Sequence, residues 1–528
     1  MNVFFLTQSL SLPVFYEIAQ CFAERKALDR AGFYLSDSAH FEEFRSAFPE
    51  IESGKYLLLK EWEIIRDSFR RAPDIEKISA YEKELAEDSL WSALVADRRI
   101  YNGPRATLRQ DYRLRYSHER TLSILQTGLE RMEELFDRLK PDLVVSFICV
   151  TLGEYLAYLF ARSRGVAFVN LRPTRIDNYI YGGESVLEPS EFLTNAYRET
   201  LKSGPDKFWG EKARTYLDKI RQTHARYEGV VRPSARPPVS AVKKRLSFQR
   251  LVHRLPAILK REGRRYWSTG QFQEDGPGLL ESVWFAKVRR PLQAWYMDRS
   301  LGSLYVREKD LSGLSYAFFP LHAEPEVTLN VYSRPYLNQV EAVRLFSHSL
   351  PVKMKLLIKE HPWAVGRRTL SYYRKLLQIP NVLLAYPGIE SRPLLQHAEI
   401  VTVISSSVAF EAVMLKKPVA TLGRAPFNIL PRSMVRHVQD PDRLGYEIRD
   451  LLESYRYDEA ALLCYIATVM KYSVPVDWYS RLLGRREAYR EAWQNQPRNE
   501  PEERRRQIEM LASYLLQWPE ESKLVNAL

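Results

Sequence analysis

The chain has 528 residues, 45% hydrophobic and 12% aromatic, which is too long for one core, well supplied for two, and excludes disorder as the default state. Its three cysteines, Cys21, Cys149 and Cys464, are few, odd in number and far apart, so they exclude a disulfide framework and a cysteine metal site and point to a reducing compartment. The formal charge of +13 is local, because residues 232–265 hold eleven Lys or Arg against one acid, Glu262.

The opening residues, Met1-Asn2-Val3-Phe4-Phe5-Leu6, lack the basic start and cleavage site of a secretory signal and have the length of a strand. Further strands are predicted over residues 31–35, 56–59, 143–148 and 167–171. A helix is predicted over residues 111–139, where Leu122, Leu125, Leu129, Met132, Leu135 and Leu139 recur at helical spacing. The apolar stretch 142–160 is broken by Gly153 and Glu154 into a strand and a helix, so it is not expected to cross a bilayer. The expected location is cytoplasmic, at most peripheral on the inner face of the membrane.

A helical stretch over residues 191–227 leads into the basic segment 232–265, which carries four prolines together with Leu246, Phe248, Leu251, Leu255 and Leu259. Those spacings suit a basic amphipathic helix lying on an anionic membrane surface, or a solvated linker. Nucleic acid is not an expected partner, since the charge is not interleaved with aromatic RNA-reading motifs or a zinc pattern. Residues 267–307 are too irregular to assign.

A second alternation follows, with strands predicted over residues 315–319, 355–359, 382–385, 400–404 and 418–422 and helices over 335–348, 368–377, 392–396 and 406–415. Such alternation predicts a parallel sheet covered by helices on both faces. The expected fold class is α/β, with two Rossmann-like domains facing a central cleft, helical insertions and C-terminal helices. The expected divisions are residues 1–230 (acceptor side), 231–310 (basic linker or insertion), 311–480 (donor domain) and 481–528 (helical tail). Helices from residue 442 onward, including 485–516, are expected to pack back across both halves. Open parallel sheets bind ligands beyond the carboxyl ends of their strands, which makes the cleft the expected site.

Two motifs fall at such strand ends. Lys359-Glu360-His361-Pro362 follows a predicted strand; His361 can donate a hydrogen bond to a phosphate, Pro362 fixes the turn, and Lys359, Arg367 and Arg368 add positive charge. Ser405-Ser406-Ser407 lies between a strand and a helix, where hydroxyls, backbone N–H groups and the helix dipole favour an anion. Glu411, a turn later, suits ribose hydroxyls. An ordinary loop histidine and simple serine capping are the plainer readings of each motif.

Taken with Phe318-Phe319-Pro320-Leu321-His322-Ala323-Glu324-Pro325-Glu326, Gly366-Arg367-Arg368, Val408-Ala409-Phe410-Glu411-Ala412 and Lys417-Pro418-Val419, these motifs resemble the bacterial capsule polysaccharide synthesis proteins that include retaining β-Kdo transferases. The similarity spans residues 312–425. It implies a GT-B fold, a donor such as CMP-Kdo in the C-terminal half, a glycan or glycolipid acceptor approached from the N-terminal half, and His361 and the serines facing the CMP phosphate.

Candidates for the reacting carboxylate are Glu154 and Asp177, each after a predicted strand of the N-terminal half; each also suits a structural role, as a cap or a turn organiser. His322 and Glu324, with Glu326, are candidates for binding donor or acceptor hydroxyls, and His322 and Glu324 could instead bond to one another. No metal or other cofactor is expected, since Asp440-Pro441-Asp442 reads as a helix cap and a monophosphate leaving group needs less charge neutralisation. The competing readings are a CDP-glycerol phosphotransferase of teichoic-acid-like synthesis and a non-catalytic nucleotide-binding assembly protein.

Overall fold

A computed structural model describes residues 1–103, 105–106, 108–110, 113–223, 279–485 and 500–526. The basic segment 232–265 lies outside the described residues. In chain order the strands are β1 (Asn2–Thr7), β2 (Arg30–Leu35), β3 (Tyr56–Lys60), β4 (Leu143–Phe147), β5 (Ala167–Pro173), β6 (Tyr179–Gly183), β7 (Tyr305–Val306), β8 (Tyr316–Pro320), β9 (Lys355–Lys359), β10 (Val382–Ala385), β11 (Ile400–Val403), β12 (Val419–Thr421), β13 (Val435–His437) and β14 (Ser473–Pro475).

They form two seven-stranded sheets, β14-β6-β5-β4-β1-β2-β3 and β13-β12-β11-β8-β9-β10-β7. In the first, β1 to β5 are parallel, while β6 runs antiparallel to β5 and β14 antiparallel to β6. The second is parallel throughout. The architecture is therefore two Rossmann-like units, as the alternation of elements predicts.

Strands buried on both faces need continuous apolar runs. In β1, Phe4 meets Phe136 on one side and Phe5 meets Phe15 on the other, with both phenylalanines fully buried. The helix His118–Leu139 covers the first of these faces; it starts at the Ser117 cap rather than at residue 111, because the Ser117 hydroxyl accepts the Arg120 N–H. No helix among the described residues is long and apolar enough to cross a membrane.

The chain divides differently from the sequence expectation in two places. β7 forms the edge of the second sheet beside β10, so that unit takes in residues before 311, and the irregular stretch 267–307 contains helix over Leu279–Trp284 and Arg290–Leu301. At the other end the chain returns to the first unit: β14 joins its sheet, and the helix Glu459–Lys471 packs against Glu191–Ser203 and Lys207–Gln222. The final helix, Glu500–Asn526, then lies against Leu12–Glu24, β5 and β14 of the first unit.

Trp518 anchors this return. Its ring is 1% exposed, lies 5.1 Å from that of Phe192, and its indole N–H donates to the Phe168 carbonyl at 3.3 Å. A Cβ on Gly182 would come within 3.1 Å of the same ring, so the glycine in β6 lets the indole press against the strand. Trp518→Ala is expected to cost about 3–5 kcal/mol through the cavity it leaves, seen as a lower denaturation midpoint. An unchanged midpoint would mean that the returning helix does little to hold the first unit.

Candidate functional site

After β7, the second sheet has the order β10-β9-β8-β11-β12-β13, and the chain's direction of winding reverses between β8 and β11. Connections leave these two neighbours on opposite faces of the sheet and open a crevice at their carboxyl ends. The loops after β8, β9 and β11 line it, and Arg172, Thr174, Arg175 and Glu188 of the first unit face them across a cleft of about 250 Å³. His361 and the three serines, Ser405, Ser406 and Ser407, thus open onto the same space.

The hydrogen bonds assign roles to the two histidines. His361 Nδ1 accepts the Trp363 N–H at 3.2 Å, so in the neutral ring the proton sits on Nε2, which is then a donor. Burial lowers the His361 pKa from its ordinary value, against the pull of Glu326 and Glu360, which favours this neutral form. His322 is buried, and its Nε2 accepts the Ser405 N–H at 3.4 Å while Nδ1 lies 3.3 Å from Glu326 Oε2. That single contact spans the switch point, joining the loop after β8 to the loop after β11.

The serines divide their work. Ser405 Oγ donates to the Arg424 carbonyl at 2.5 Å, and Ser406 Oγ caps the helix Ser407–Met414 by accepting the Val408 N–H at 3.3 Å. With two hydroxyls so engaged, and with the Val408 and Ala409 N–H groups donating to Ser406, the helix start offers an anion chiefly the positive end of its dipole. Lys359, 4% exposed, lines the cleft, and burial pushes its ammonium down to about 8, against Glu360. Glu411 also lines it, with its pKa raised by burial and by Glu390, against Arg392.

Positive charge around the Lys359-Glu360-His361-Pro362 motif is smaller than the sequence suggests. Arg368 is buried and neutralised, at 2.5 Å from Glu360 Oε1 and 3.3 Å from Glu324 Oε1. Arg367 is not on the cleft wall; it stacks on Trp363 at 3.4 Å and donates to the Trp363 and Leu108 carbonyls, both at 3.0 Å. Its fork is taken up by backbone carbonyls, one in its own loop and one at Leu108 of the N-terminal half.

Three expected carboxylates also lie off the cleft. Glu154 is fully buried in a capping box, accepting the N–H groups of Val150 and Thr151 at 2.8 and 2.9 Å and the Gln8 amide. Burial pushes its pKa up to about 8 despite those bonds, and it belongs to the start of its own helix. Asp177 sits in a left-handed turn, φ 40°, paired with Lys219 at 3.2 Å. Glu324 accepts from Gln110 of the N-terminal half at 2.7 Å, from Gln339 at the start of the helix Gln339–Ser349, and from Arg368.

The carboxylates on the cleft wall are Glu188, Glu326, Glu360 and Glu411. Glu188 and Glu360 are paired with Arg172 and Arg368. Glu326 is different: its side chain is 37% open, and it accepts from Thr328 Oγ1 at 2.9 Å beside His322. Burial raises its pKa, but the His322 bond, the positive charge an imidazole brings when protonated and the Thr328 hydroxyl outweigh that and bring it to about 2, so it stays ionised. The first unit's contribution, Glu188, carried no local sequence signal, because it follows the unpredicted β6. Among the described residues no group of three or more His, Cys, Asp or Glu is placed to hold a metal ion.

Fold and site define a two-unit α/β protein with a cleft at the switch point of its second sheet. Residues 338–439 match the family model described as capsule polysaccharide biosynthesis protein, so the resemblance read from the motifs is borne out over these residues. Similar solved structures include the β-Kdo 2,4 transferase KpsC of Thermosulfurimonas dismutans, at 12% identity over 62% of this chain and 78% of that one, TM-score 0.34. The same organism's KpsC β-Kdo 2,7 transferase gives 11% identity over 60% and 78%, TM-score 0.31. The UDP-GlcNAc 2-epimerase of Neisseria meningitidis gives 12% identity over 89% and 97%, TM-score 0.25. No curated protein matches the chain.

The buried His361 makes the native state sensitive to acid. Its folded pKa is depressed, so its contribution to stability is complete above the unfolded value near 6.5 and is lost as pH falls through the folded value. Thermal midpoints measured from pH 8 to pH 5 are expected to fall more steeply for the natural protein than for His361→Asn. Parallel curves would show that the imidazole does not titrate abnormally.

Proposed function

We propose that the cleft binds a CMP-activated sugar, with CMP-Kdo as the donor, and that the chain transfers the sugar to a glycan or glycolipid acceptor in the synthesis of capsule or other bacterial surface polysaccharide. The observation that carries this reading is the convergence of His361, Lys359 and the helix start at Ser407 on one space at the switch point. The match of residues 338–439 to the capsule biosynthesis family supports it.

In this reading the donor's single phosphate takes the Nε2–H of His361 beside the positive end of the helix Ser407–Met414, with Lys359 supplying charge. As the bond from the anomeric carbon to the phosphate oxygen breaks, the electron pair goes to the CMP phosphate, and these fixed donors stabilise the charge that develops there without waiting for water to reorganise. Glu411 is placed to accept ribose hydroxyls. Glu326 is the ionised carboxylate for the sugar: a group held near 2 is a weak base, so it suits attack on, or charge stabilisation of, the anomeric carbon in a retaining reaction. The acceptor enters past Arg172 and Arg175 of the first unit. Turnover without an added divalent metal belongs to the same proposal.

A ligand of the native state raises its thermal midpoint according to affinity. CMP is expected to do so more than CDP, UDP or GDP at equal concentration; a preference for UDP or GDP would redirect the donor assignment. Glu326→Gln is expected to keep the CMP-induced shift while transfer from CMP-Kdo falls by about a hundredfold or more. Full transfer activity in that variant would remove Glu326 from the reaction.

A further inference from the structure

The helical stretch over residues 281–301 is apolar on two sides. Its inner side buries Phe285, Ala294, Met297 and Leu301, and Arg290 donates to the carbonyls of Val365 at 2.9 Å and Trp363 at 3.1 Å. Its outer side carries Trp284, Val288, Leu292, Trp295 and Tyr296, all between 41% and 60% exposed. Steps of three or four residues place these five on one face. A contiguous exposed apolar face of this kind marks an interaction surface.

The charges on this face have one sign. Lys287 and Arg299 are exposed beside the stripe, whereas no Asp or Glu between residues 284 and 304 is exposed. Two tryptophans and a tyrosine among aliphatic side chains, flanked by cations, match the boundary between lipid headgroups and acyl chains, where amphipathic rings sit and anionic lipids attract Lys and Arg. The eleven cations of residues 232–265, shortly upstream in sequence, carry the same charge preference.

We infer that the outer face of residues 284–296 docks on an anionic lipid bilayer, with Trp284, Leu292 and Trp295 inserted at the headgroup level. The inner side of the same helix holds the loop of residues 361–368, through Arg290 and through the Gln293 amide on the Arg368 carbonyl. Docking therefore fixes the orientation of the loop that bears His361 relative to the membrane surface. None of the five stripe residues lines the cleft.

The test uses the full chain, vesicles of phosphatidylglycerol with phosphatidylcholine, and vesicles of phosphatidylcholine alone. The natural protein is expected to co-sediment with the first and much less with the second, and its tryptophan emission to be quenched by bromine on the lipid chains. The triple variant Trp284→Ser, Leu292→Ser, Trp295→Ser is expected to lose that quenching and to bind about tenfold or more weakly. The side chains are exposed, so its CMP-induced thermal shift should match that of the natural protein and confirm an intact fold. Equal vesicle binding by both proteins, or vesicle binding without quenching, would overturn the inference in favour of charge attraction alone. Absence of vesicle binding together with a dimer that the triple variant abolishes would overturn it in favour of a second copy of the chain.

Discussion

The guanidinium of Arg368 ties together the loops that make the cleft. It donates to Glu360 Oε1 and to the His322 carbonyl, both at 2.5 Å, and approaches Glu324, while Glu360 also accepts the His361 N–H at 2.6 Å and the Tyr373 hydroxyl. One buried cation thereby sets the distance between the loop after β8 and the loop after β9. Breaking such a pair on one side typically costs about 3–5 kcal/mol, because the remaining charge is stranded out of water. The ionised Glu326, the proton position on His361 and the contact between His322 and Ser405 all presuppose that these loops are held as Arg368 holds them.

The two units share a strand order and differ in what fills the switch point. In the first, β1 and β4 are neighbours, and the space beyond them is closed by Gln8, whose amide reaches the Phe147 and Ile148 carbonyls and Glu154. A Cβ on Gly153 would collide with the Tyr34 ring, so that end of the sheet is packed shut. In the second, the same position between β8 and β11 stays open and is lined by His322, Lys359, His361 and the serines. The same order of core strands thus supplies a wall in one unit and a crevice in the other, and side-chain size and pairing decide which.

Much of this was legible in the sequence where elements are long and periodic. The strands of both parallel cores, the helix ending at Leu139 and the placing of His361 and Ser405 to Ser407 at strand ends follow from apolar runs and punctuation. What escaped was short or non-local. β7, β13 and β14 have two or three residues each, too few to show a pattern, and their places depend on partners far along the chain. The carboxylates illustrate the same limit: Glu154, at a strand end with a helix following, has the sequence context of a catalytic acid, yet the Thr151 capping box claims it. Arg368 reads as a cation available to a phosphate, and only the fold brings Glu360 and Glu324 to it.

A structure with CMP bound addresses the central claim most directly. The phosphate is expected within hydrogen-bond distance of His361 Nε2 and beside the start of the helix Ser407–Met414, with the ribose toward Glu411. A nucleotide seated with its phosphate away from His361, or bound outside the crevice between β8 and β11, would contradict the account.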